Sequence, residues 1–230
     1  MNIEEFIAGI ETHDKLNPKI WKDEDTIRPE VRRSLLNIAR EFYDFLDIQV
    51  IIIDIIVTGS QANYLYTDAS DLDLHLIVPY GDVDCEGPVR ELFDAKRKLW
   101  KENHNITIRD IPVETYVEDE QQPVTGSSYS LLKDKWVRKP EVIQGPIPTG
   151  IESQVTAWTQ LVRLAISHKD LESLVKIKDL LSSYRKAGLR RGGELDPANI
   201  VFKTLRNNNV ISMLMKSVNR LKDNELSIQD

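Results

Sequence analysis

Thr58-Gly59-Ser60-Gln61-Ala62-Asn63, followed by Ser70-Asp71-Leu72-Asp73-Leu74-His75, is the stretch on which the reading of this chain turns. Before it, Ile48 to Thr58 is dense in β-branched residues and nearly continuous in apolar character, the pattern of a strand covered on both faces. Gly59 ends that run and allows a tight turn. Ser60 is then placed to open a helix whose free N–H groups would suit a phosphate. From Asp71 to Leu76 polar and apolar residues alternate strictly, which predicts a second strand with two unlike faces.

Alternate side chains of a strand point the same way, so Asp71 and Asp73 place two carboxylates on one face, about 7 Å apart along the chain. Such a pair repels unless a cation lies between them. Hard oxygen ligands select Mg²⁺ or Mn²⁺, and Mg²⁺ is usually held by one or two carboxylates together with substrate phosphates. Further on, Ile111 to Val117 reads as a strand with Val113, Thr115 and Val117 on one face and Glu114 and Tyr116 on the other. Glu114 is therefore a candidate third carboxylate for a two-metal site. His75 shares the face of the aspartates and could approach the metals, although hydrogen bonding to a neighbour is its ordinary role.

Outward from this segment, a helix is expected from Pro29 to about Asp47, with Val31, Leu35, Ile38, Phe42 and Phe45 at helical spacing. A short helix over 3–12 and an irregular stretch with Asn17-Pro18 and an exposed Trp21 precede it. A second firm helix is expected over 86–103. Residues 121–150 read as loop-rich, with short strands at Tyr129 to Leu132 and Trp136-Val137. Beyond them come three helical segments, Ile151 to His168, Leu171 to Ala187 and Asn199 to Leu221. The expected fold class is α/β (α+β), a small mixed sheet with flanking helices. The expected division is a core of residues 1–150 and a helical region of residues 151–230.

The chain has 230 residues, a net charge of −7, 41% hydrophobic residues and a single cysteine, Cys85. That composition supports a buried core and disfavours disorder, an oxidised disulfide scaffold or a structural zinc site. The apolar run Val50 to Val57 is interrupted by Asp54 and falls far short of the roughly 20 residues that cross a bilayer. The acidic start, Met1-Asn2-Ile3-Glu4-Glu5, lacks the pattern of a signal peptide, so a cytoplasmic protein without membrane contact is expected. Residues 1–150 carry 17 basic and 28 acidic side chains, whereas 151–230 carry 13 and 9. An acidic core suits metal binding, and the mildly basic remainder could steer an anionic partner, although so modest a difference usually reads as solvated helix surface.

The order of these features, together with Val113-Glu114-Thr115-Tyr116-Val117, resembles the nucleotidyltransferase superfamily typified by DNA polymerase beta. Within it, the chain looks like predicted nucleotidyltransferases of the kind encoded by bacteriophages. The wider resemblance covers about residues 30–120. The closer one extends through Gly126 to Ser130, Trp136, Gly192-Gly193-Glu194 and Phe202 to Arg206.

The resemblance implies a nucleotidyltransferase core with Mg²⁺, or Mn²⁺, as cofactor and a nucleoside triphosphate such as ATP as substrate. It implies that Gly59, Ser60 and Ser70 line the nucleotide site and that Asp71, Asp73 and Glu114 are the catalytic metal ligands. A nucleoside monophosphate would pass to an acceptor hydroxyl on RNA, protein or a small molecule, with release of pyrophosphate. The alternative is an inactive nucleotide- or RNA-binding module of the same fold. Tyr64 and Tyr66 could stack on a base, although their large area favours packing. Lys133, Lys135 and Arg138 are candidates for the triphosphate, and Arg185, Lys186, Arg190 and Arg191 for an acceptor.

Overall fold

The computed structural model describes residues 13–68, 70–83, 88–122, 126–141, 150–193 and 196–228. The short helix expected over 3–12 lies outside them. Described residues up to 141 form one compact unit, and those from 150 onward form another.

The first unit is built on a six-stranded mixed sheet. Helix α1 (Pro29–Leu46) carries proline in its first turn and ends at Asp47, whose φ of 51° is left-handed. Strands β1 (Asp54–Thr58) and β2 (Leu72–Val78) pair antiparallel. Helix α2 (Val89–Asn103) then makes the crossover that a parallel partner requires. It leads through β3 (Thr107–Ile108) into β4 (Ile111–Asp119), which lies parallel to β2. Strands β5 (Ser128–Ser130) and β6 (Lys135–Arg138) complete the order β3-β4-β2-β1-β5-β6.

Period-two alternation gives this sheet its two faces. Ile55, Val57, Leu72, Leu74, Leu76 and Val117 join Val31, Leu35 and Phe42 of α1 and Phe93 and Trp100 of α2 in one apolar core. The opposite face carries Thr58, Asp73 and Glu114 side by side, because Thr58 pairs with Asp73 and Asp73 with Glu114. The α+β class therefore holds, and the crossover delivers the third carboxylate beside the second.

Three expectations need correction. The strand expected from Ile48 begins only at Asp54, and Ile51 and Ile53 are 69% and 45% exposed. Its partner runs out at Val78-Pro79, and a proline cannot extend the ladder. Trp21, expected to be exposed, is 2% exposed; its ring stacks on Trp136 at 4.6 Å and its Nε1 donates to the Gln61 carbonyl. The helix expected from Asn199 to Leu221 is two helices.

The second unit consists of α3 (Ile151–Ser167), α4 (Leu171–Gly192), α5 (Pro197–Asn207) and α6 (Val210–Leu226) around their own core of Val162, Leu174, Leu181, Val201 and Leu214. The break between α5 and α6 falls at Asn209, whose φ is 60°. Asparagine is among the few residues that accept this conformation readily. Among the described residues no helix is long and apolar enough to cross a membrane.

Candidate metal centre

The loop after β1 sets the floor of the site. Gly59 adopts φ 77° and ψ −163°, a region closed to residues with a Cβ. A Cβ built there would overlap Asp73 Oδ2 and lie 3.0 Å from its Cγ, so the bare backbone lies directly against the carboxylate. Ser60 does not open a helix as expected. Residues Ser60–Ala62 form a single 3₁₀ turn, closed by Asn63, which donates from Nδ2 to the Gly59 carbonyl and accepts the Leu65 N–H at Oδ1. An asparagine side chain that satisfies the turn backbone in this way ends it before a helix can propagate. The phosphate reading of Gly59-Ser60 therefore has no helix N-terminus behind it.

Gln61 ties this turn down. Its buried amide accepts from Asn17 Nδ2 at 2.9 Å and donates to the Ser70 carbonyl at 3.1 Å. Ser70 is 4% exposed, and its hydroxyl oxygen bonds the Thr67 N–H and lies 3.2 Å from the Thr67 hydroxyl. It fixes the turn that delivers Asp71.

Asp71, Asp73 and Glu114 do come together. Each offers one carboxylate oxygen, and the three oxygens lie within 4.8 Å of one another. Asp71 precedes β2, while Asp73 lies within that strand. All three are half-buried. The donor set is entirely oxygen and anionic, with the Gly59 backbone keeping the space beside Asp73 free of side chain. It fits a hard divalent cation such as Mg²⁺ or Mn²⁺.

Glu114 is held at both oxygens. The Lys101 ammonium, from the last turn of α2, pairs with Oε1, and the Tyr116 hydroxyl donates to Oε2 at 2.6 Å. Burial alone would raise this carboxyl, but the Lys101 and Tyr116 bonds outweigh it and hold Glu114 below the usual range. Burial, the Asp73 charge and the bond to Glu114 push the Tyr116 phenol upward. Its ring stacks on His75 at 4.5 Å and lies under the Arg97 guanidinium at 4.7 Å.

His75 is not among the three converging ligands. Its Nδ1 is buried without a hydrogen-bond partner among the described residues, 3.8 Å from Glu118 Oε1. Burial, assisted by Arg97, depresses its pKa to about 4, so it is neutral at ordinary pH.

Tyr64 packs rather than waiting for a base: it is 4% exposed and its hydroxyl donates to Glu24 at 2.5 Å. Tyr66 stacks on His13 at 3.8 Å. Lys133 is paired with the buried Asp54 at 3.0 Å, Arg191 grips Asp196, and Arg185 lies over Phe202 at 4.7 Å. Sequence reasoning missed Lys101, Arg97 and Gln61, whose partners are set by packing between elements and leave no local pattern. Comparison with models of known protein families, with curated proteins and with solved structures finds no match to this chain.

Proposed function

We propose that this chain is a metal-dependent nucleotidyltransferase, which moves a nucleoside monophosphate from a nucleoside triphosphate to an acceptor hydroxyl and releases pyrophosphate. The observation that carries the reading is the convergence of Asp71, Asp73 and Glu114 at the Gly59 turn. Three anionic groups drawn from a loop and two strands are costly to assemble unless a cation is to be held there.

Asp71, Asp73 and Glu114 would hold Mg²⁺ or Mn²⁺. When bound, the metal supplies neutralisation of the charge that builds on the α-phosphate and on the leaving pyrophosphate. The chain's own residues then do the positioning. Gly59 leaves room beside Asp73, and Asn63 and Gln61 keep the turn in that shape. The bond between the acceptor oxygen and Pα forms as the bond from Pα to the bridging oxygen of pyrophosphate breaks. Glu114 accepts the hydrogen bond of the attacking hydroxyl and fixes its direction, a role that suits a carboxylate to which Tyr116 donates, and the hydroxyl proton passes to water as the new bond forms.

The test is transfer of label from each α-labelled triphosphate, with Mg²⁺, into a lysate containing RNA, protein and small molecules. Label that moves with the native chain and not with Asp71→Ala/Asp73→Ala supports the reading, and its sensitivity to nuclease or protease names the acceptor class. No transfer from any triphosphate, with nucleotide binding that needs neither metal nor carboxylates, overturns it.

A further inference from the structure

We propose that Lys101 is a resident counter-cation of the carboxylate site: it holds Glu114 in the metal-free protein and yields it to an arriving divalent ion. Helix α2 would then set the metal affinity. The proposal rests on the metal-site reading above and adds a determinant outside the carboxylates themselves.

The geometry is a ladder. Helix α2 presents Arg90, Arg97 and Lys101, seven and four residues apart, which places them on one helical face. Strand β4 presents Glu118, Tyr116 and Glu114 at every second residue, in the opposite order. Arg90 Nη2 lies 4.0 Å from Glu118 Oε2, the Arg97 guanidinium lies 4.7 Å from the centre of the Tyr116 ring, and the Lys101 ammonium meets Glu114 Oε1. Eleven helical residues advance about 16 Å and four strand residues about 13 Å, so the two rows stay in step along the contact. Two rungs join helix to strand at groups outside the carboxylate cluster. The third ends on a carboxylate whose oxygen lies within 4.8 Å of ligand oxygens of both aspartates.

Lys101 differs from its partner in a way that allows exchange. Its side chain is 63% exposed, whereas that of Glu114 is 19% exposed. An ammonium on a flexible stem can withdraw into water at little cost, because exposed ion pairs contribute little. Glu114 has no such retreat. Without Lys101 it keeps the Tyr116 hydroxyl bond but loses its paired cation beside Asp71 and Asp73. A divalent ion then takes Glu114 in exchange for Lys101, and its affinity is lower by whatever that pair contributes.

The test titrates Mn²⁺ into the full chain and follows free Mn²⁺ by electron paramagnetic resonance, a readout independent of turnover. Lys101→Met, a good helix former at an exposed position, is expected to bind Mn²⁺ about 3–10-fold more tightly, and Lys101→Arg, which keeps the charge, to stay within about twofold of the native chain. Lys101→Gln is expected to match Lys101→Met. Equal or weaker binding by both neutral variants, with binding still abolished in Asp71→Asn/Asp73→Asn, overturns the role of Lys101 and leaves the metal site standing. A native chain that takes up no Mn²⁺ at millimolar concentration overturns both.

Discussion

The backbone of Gly59 and the carboxylate of Asp73 occupy adjoining space so closely that the smallest side chain cannot fit between them. Gly59→Ala meets two penalties at once, a left-handed backbone and an overlap with Oδ2, of which strained backbone alone costs about 1–3 kcal/mol. The Asp73 carboxylate can relieve the overlap only by leaving its place in the cluster. The expected outcome is a chain that still folds, melts several degrees lower and loses Mg²⁺-dependent nucleotide binding. Thermal melts with and without Mg²⁺ and a triphosphate decide it, and an undiminished ligand-induced shift in Gly59→Ala would sink the close-approach argument.

Removing the aspartate charges should act with opposite signs in the two states of the site. In chelator, where Glu114 is paired with Lys101, Asp71→Asn/Asp73→Asn relieves the mutual repulsion of the two aspartates, and the melting temperature is expected to rise by about 1–3 °C. With Mg²⁺ and triphosphate the native chain is expected to be stabilised by binding and the variant is not. A variant that is less stable than the native chain in chelator would show that the carboxylates are held by structural partners rather than poised for a cation.

How much of this was legible beforehand depended on the range over which each feature is determined. Asp73 and Glu114 could be placed on polar strand faces because strand alternation is local, whereas their adjacent register in the parallel pair is set by packing. Gly59 was legible as a turn, but the shortness of that turn was not, because Asn63 closes it through its own side chain. Trp21 looked exposed in a polar segment, and its burial depends on Trp136, which is remote in sequence. Lys101 was invisible for the same reason: its partner is set by how far α2 slides along β4. In the helical unit Asn207-Asn208-Asn209 reads as polar helix surface, yet the left-handed Asn209 divides the helix there.

Tyr116 separates a positioning role from a packing role. Tyr116→Phe keeps the ring between His75 and Arg97 and removes only the hydroxyl that donates to Glu114 at 2.6 Å. Hydrogen bonds to charged groups contribute about 1.5–3 kcal/mol, and water replaces part of the lost bond, so the transfer rate is expected to fall roughly 3–20-fold. The KM for triphosphate should stay within about twofold and the melting temperature within about 2 °C. Steady-state kinetics beside a melt check this, and a rate unchanged in Tyr116→Phe would remove the hydroxyl from any role in aligning Glu114.

Acid should loosen the helical unit at Asp196. This carboxylate is 3% exposed, accepts two bonds from Arg191 at 2.8 Å and caps α5 by accepting the Ala198 N–H at 2.9 Å. The Arg191 bonds, helped by that N–H, hold its pKa below the ordinary value against the opposing effect of burial. As pH falls through about 4, the unfolded chain takes up a proton at Asp196 while the folded chain does not, so protonation favours unfolding. The stabilisation is complete above about pH 5 and is lost progressively as pH drops toward the folded value. Asp196→Asn keeps the shape and one capping oxygen but cannot ionise. Its unfolding midpoint in urea should lie below that of the native chain at pH 6, with the gap narrowing steadily by pH 3. Because other carboxylates titrate in both proteins, the difference between the two curves is the quantity to read. A gap that stays constant over this range would show that the charge on Asp196 contributes nothing beyond its hydrogen bonds.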